Sequence, residues 1–177
     1  MTPEHLRDAA ALAAVFGFFA MAWFGWAQEK PPTRWLWPLR AGSVLSGLVL
    51  LGGGLLTWRH WSDGTVFDEQ VGTAFGIIVG IEFAAAGLGA GLLAWRKRSD
   101  LISAWIAFVV GVHLFPVAVV LEIPAVHVTG ALVTVAAVAA VFLARAKAIM
   151  PSAVVGALVG PILLVSAAVS LVDALTR

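Results

Sequence analysis

Cysteine is absent from the 177 residues. That excludes disulfides, thiolate metal sites and cysteine nucleophiles, and leaves the redox compartment open. Charge is scarce as well: Asp, Glu, Lys and Arg make up 12% of the chain and the net charge is +1. A globular domain typically carries about twice that charged fraction, and no basic field points to nucleic acid. There is no Walker glycine loop, no G-x-S-x-G elbow and no H-E-x-x-H pair, so the sequence advertises neither nucleotide hydrolysis, serine-esterase chemistry nor a zinc protease.

Apolar residues fill the space, at 61% of the chain and a mean hydropathy of +0.98. A soluble fold with this inventory would expose large apolar patches and aggregate; in a bilayer the same surface meets lipid tails. A spanning helix needs about 20 mostly apolar residues, and six runs qualify: Ala9–Ala27, Ala41–Trp58, Gly72–Trp95, Leu101–Leu121, Ala125–Ala144 and Pro151–Val172. The chain therefore reads as an all-α, polytopic integral membrane protein, one membrane domain of six transmembrane helices in a compact bundle. The first run is too long and too Trp-rich for a signal peptide, and Glu4 and Asp8 flank its only arginine. Pro31, Pro32 and Pro38 forbid one continuous helix between the first two spans. Pro124 and Pro151 open the last two, where a missing N–H costs nothing.

Orientation follows from Lys and Arg in the short connections. Lys30, Arg34, Arg40, Arg96, Lys97, Arg98, Arg145 and Lys147 share one side, and only Arg7, Arg59 and Arg177 occupy the other. This alternation predicts a cytoplasmic Lys/Arg-rich side with both termini outside. Trp23, Trp26, Trp35, Trp37, Trp95 and Trp105 fall near the inner interface, and Trp58 and Trp61 near the outer one. An excess of Arg over Lys, with abundant Ala, Gly and Val, suits a bacterial cell membrane.

Gly72, Gly76, Gly80 and Ala84 form a small-residue stripe at four-residue spacing on the third span, with a shorter version at Gly156 and Gly160 on the sixth. Such stripes let backbones approach closely, and the first is expected to meet another helix, within the chain or in a homo-oligomer. Inverted symmetry between the first three and last three spans finds no support in matched residues.

Ionisable side chains at bilayer depth are costly and usually functional. Two stand out, Glu82 in the third span and His113 in the fourth. Counted at about 1.5 Å per residue, they lie about 15 Å and about 12 Å below the same surface, so antiparallel neighbours bring them level. At about 100° per residue, Glu82 points about 150° away from the glycine stripe. Pro116 frees the carbonyl of Val112, Pro161 frees that of Ala157, and Thr134 and Ser166 could complete a polar layer. The structural alternative is a cross-link between Glu82 and His113, with the prolines only shaping their helices.

On the outer side, His60 and Asp63 with Glu122 and His127 are candidate divalent-metal ligands. They match no metal motif, and an acidic solvated rim is the simpler account. His113 and His127 lie at different depths, which disfavours bis-histidine haem, and no cofactor is implied. Three functional classes follow: a transporter or channel for a proton, ion or small solute; a non-catalytic partner or assembly protein; and an enzyme acting on a lipid or other apolar substrate. Lipid is the expected surrounding partner in each.

Because the chain lacks cysteine, topology is open to single-site labelling. In intact cells an impermeant maleimide should label Ser62→Cys and spare Ser99→Cys; the reverse pattern would overturn the orientation.

Overall fold

The computed structural model describes residues 5–177. Six helices follow one another: α1 (Leu6–Ala27), α2 (Leu36–Arg59), α3 (Glu69–Trp95), α4 (Ile102–Val120), α5 (Pro124–Lys147) and α6 (Pro151–Leu175). Single turns of 3-10 helix at Thr33–Trp35 and Ser99–Leu101 lead into α2 and α4. There is no strand among the described residues. All six helices are long and apolar enough to cross a membrane. Their outer surface is apolar, with Leu51, Phe83, Leu88, Phe142 and Val165 exposed. The chain is a polytopic, all-α membrane bundle.

Hydrocarbon cannot satisfy backbone groups, so each helix must close its own ladder and manage its ends. Pro124 and Pro151 sit in the first turns of α5 and α6. Pro38 lies in the first turn of α2, which lets that helix start ahead of the apolar run. Asp68 caps α3 by accepting a 2.8 Å hydrogen bond from the amide of Val71. Three helices end on a non-glycine residue with positive φ: Lys97, Glu122 and Ala148. In each case the next amide bonds back to a carbonyl five residues earlier, as in Arg98 N–H to Leu93 at 2.7 Å. This turn usually takes glycine.

Helix neighbours run in the order α2, α1, α6, α5, α4, α3, with α6 also touching α2 and α4. The seam around α1 is made of small residues. Ala9, Ala10, Ala13, Ala20 and Ala27 are fully buried. A methyl group added to Gly17 would lie 2.9 Å from the amide nitrogen of Leu50, and one on Gly53 would lie 2.8 Å from the carbonyl oxygen of Ala10. Gly156 of α6 likewise meets the carbonyl of Trp23 and the methyl of Ala27, and Gly160 meets the ring of Phe24. The α4–α5 hairpin closes in the same way, through Gly111 against Thr134 and Gly130 against the carbonyl of Gly111.

The stripe on α3 takes no part in this. Within the chain, Gly76 and Gly80 face open space, and Gly72 meets only Phe67 of its own lead-in. α3 has no buried residue and packs on α4 and the turn before it. It offers α4 the opposite face, because that face carries the bonding partners. Trp105 lies against Gly89 and donates its indole N–H to the carbonyl of Ala85 at 3.1 Å. In lipid, where apolar contact alone gives no preference for protein, polar ties and close packing decide which face is used. Two of the tryptophans expected near the inner interface also make packing contacts. Trp23 is buried in the core, and Trp105 is engaged with α3, whereas Trp37, Trp58, Trp61 and Trp95 are exposed.

The two glycine sets separate cleanly by mutation. Gly156→Leu should destabilise the purified protein by about 3 kcal/mol, since no flexible side chain can yield to the new atoms. Gly76→Leu should leave the monomer's melting temperature unchanged. Equal effects in a thermal melt would contradict this packing.

Candidate functional site

Glu82 stands 13 residues from either end of α3, about 20 Å along the axis in each direction. Its neighbours toward α4 are small (Ala85, Ala86 and Gly89). His113 lies on the facing side of α4, one turn before Pro116. Their side chains meet, with His113 Nε2 3.4 Å from Glu82 Oε2. Both are mostly but not wholly enclosed, at 16% and 14% exposure. The pair sits on a two-helix seam at the flank of the bundle rather than on its central axis, because α3 is the edge helix.

The other ring nitrogen fixes the proton arrangement. His113 Nδ1 is 2.7 Å from the carbonyl oxygen of Val110, which can only accept, so Nδ1 carries a proton and donates it. In a neutral imidazole Nε2 then presents a lone pair. A carboxylate oxygen opposite it would present another, and the contact would be repulsive. An attractive contact requires one further proton between the two groups, held as imidazolium with carboxylate or as imidazole with carboxylic acid.

The remaining predicted polar residues do not join this pair. Thr134 donates to the carbonyl of Gly130 at 2.7 Å and packs on Gly111. Ser166 donates to the carbonyl of Ile162 at 3.0 Å and lies 2.8 Å from the hydroxyl of Thr129. That second contact joins α5 to α6, and the pattern reading missed Thr129 entirely. A threonine four residues into the Ala125–Ala144 apolar run was the available signal. Pro116 and Pro161 both lie inside continuous helices, with Pro161 exposed.

At the end opposite the Lys/Arg-rich loops, His60 Nδ1 bonds Asp63 Oδ2 at 2.7 Å. His127 instead meets the edge of Phe115, with ring centroids 5.9 Å apart, and Glu122 occupies the α4–α5 turn. No three potential metal ligands of the His, Asp and Glu type come together among the described residues. The charges at this end fasten the α2–α3 connection to α1. Asp8 accepts from Thr65 Oγ1 at 2.6 Å and from the amide of Val66 at 2.9 Å. Arg7 donates to the carbonyl of Trp61 at 2.8 Å and lies over its ring.

Comparison with protein-family models, with curated proteins and with solved structures finds no match.

The tautomer can be read directly. Nitrogen NMR of histidine-labelled protein, with His113→Gln identifying the signal, should show Nδ1 of His113 protonated across the whole pH range. A neutral His113 protonated at Nε2 alone would contradict the assignment.

Proposed function

We propose that the chain is a small membrane transporter or channel, in which Glu82 and His113 hand on a proton or a small solute that exchanges with one. The supporting observation is their 3.4 Å contact at the midpoint of α3, which is close enough for two ionisable groups to exchange a proton. A charge at that depth is unfavourable, and a carboxylate and an imidazole lower the cost by neutralising each other. Moving the proton from one to the other changes the charge at either atom without changing the total. This is what a relay step requires. Small residues beside Glu82, and the carbonyl of Val112 left without a helical donor by Pro116, leave room and an acceptor for water or solute.

One observation favours a structural reading. α3 packs only along its α4 side, and the Glu82–His113 contact and the Trp105 indole are its polar ties to α4. Removing either side chain of this contact would then loosen α3, whatever the chain transports.

Proteoliposomes loaded with a pH-sensitive dye separate the two, with candidate ions and solutes supplied across the membrane. The parent protein should show a flux. Glu82→Gln, which keeps volume and hydrogen-bonding capacity but cannot ionise, should reduce it to background while leaving the melting temperature nearly unchanged. Undiminished flux in both Glu82→Gln and His113→Gln overturns the proposal. A large fall in stability with no parental flux supports the structural reading.

A further inference from the structure

The α4–α5 hairpin is not packed evenly along its length. Near its turn the two backbones touch through Gly111, Gly130 and Thr134. Toward the Lys/Arg-rich end, larger side chains of α3, α4 and α5 border a groove of about 370 Å³. Ala104 and Ala137 form part of its floor because their methyl groups do not fill the gap. Trp105 and Phe108, stacked with centroids 6.1 Å apart, line one side, and Val141 and Phe142 line the other. Leu93 at the end of α3 and Leu101 at the start of the α4 segment line its mouth. The volume lies within the range of ligand pockets, about 300–1,000 Å³, and the lining is almost entirely apolar.

The rim carries the opposite chemistry. Arg96, Lys97 and Arg98 lie between Leu93 and Leu101, and Arg145 extends the face of α5 that Val138 and Val141 present to the groove. Lys147 follows two residues later, and all five cations are exposed. Arg98 is paired with Asp100, whereas Arg96, Lys97, Arg145 and Lys147 have no ion-pair partner among the described residues. Lys97 is also held in the left-handed turn that ends α3, so its backbone position is set by the fold. An apolar slot that opens beneath unpaired cations at a membrane surface matches one kind of molecule, an acyl chain joined to a negatively charged headgroup.

We infer that the α4–α5 groove is a binding site for an anionic phospholipid drawn from the leaflet at the Lys/Arg-rich end. One acyl chain lies along Ala104, Phe108 and Ala137, and the headgroup phosphate is held by Arg96, Lys97 and Arg145. Charge selects the lipid class, because a zwitterionic headgroup brings its own ammonium into the same cationic rim. The site is separate from the Glu82–His113 contact and stands whether or not that pair moves protons.

Native mass spectrometry of the purified full chain, released from detergent with equal amounts of phosphatidylglycerol and phosphatidylcholine of matched acyl chains, tests the inference. The parent should retain phosphatidylglycerol about tenfold more than phosphatidylcholine, since each cation near the headgroup adds attraction. Arg96→Gln/Lys97→Gln/Arg145→Gln, altered only at exposed positions, should lose that preference, and Arg59→Gln at the opposite end should keep it. Ala104→Phe, which fills the floor, should reduce retention of both lipids. Equal retention of the two lipids by the parent, or an unchanged preference in the triple variant, overturns the site. If Ala104→Phe does not fold, the triple variant decides alone.

Discussion

The approach of α1 to α2 on one side and to α6 on the other, backbone against backbone, is the contact on which the bundle depends. Lipid tails solvate leucine as well as another leucine does, so helices in a bilayer gain little from simply hiding apolar surface. What they gain comes from dense atomic contact and from polar groups that lipid cannot satisfy. Glycine and alanine provide the first by removing the side chains that hold helices apart. Gly17, Gly53 and Gly156 bring carbonyls and amides of neighbouring helices into reach, and the fully buried alanines of α1 line the same seam. The phenylalanine ring of Phe24 then fills the space between Gly42 and Gly160, one from each flanking helix.

α3 shows the second mechanism. With no buried residue, it is held on α4 by the Glu82–His113 contact, an indole hydrogen bond and the seat of Trp105 on Gly89. The same contact that positions the titratable pair is part of what positions the helix, so any chemistry at Glu82 acts on a joint. Glu82 and His113 are thus among the few polar groups that hold an edge helix in place.

Much of this was legible in the sequence because the bilayer imposes strong rules. The length and hydrophobicity of the six runs gave six helices, since only helices and closed barrels satisfy the backbone in hydrocarbon and continuous apolar runs of this length suit helices. The antiparallel spacing put Glu82 and His113 at one level, where their side chains lie 3.4 Å apart, and Gly76 and Gly80 face away from other helices of the chain. The stripe itself finds no partner within the chain. Spacing alone cannot tell a glycine that receives another helix from one that faces outward, and Gly76 is the second kind while Gly156 is the first. The packing face of α1 was overlooked because its stripe is mostly alanine, broken by Phe16, Trp23 and Phe24. Thr134 and Ser166 satisfy neighbouring carbonyls within their own helices, a local bond always open to a hydroxyl and hence a poor sign of a shared polar layer.

The pairing of the first helix with the last also governs how the molecule is made. A ribosome releases α1 long before α6, yet Trp23 and Ala27 reach their full packing only when Gly156 arrives. Until then the face of α1 that α6 will cover must be occupied by lipid or by another protein. The α4–α5 hairpin, closed by Gly111 and Gly130, is local in sequence and can form as soon as it is inserted. Chain order therefore separates local pairs, α1 with α2 and α4 with α5, from the contact of α1 with α6, which must wait for the sixth helix. A chain stopped short of Pro151 would keep five helices but lack the one that α1 and α5 both pack against.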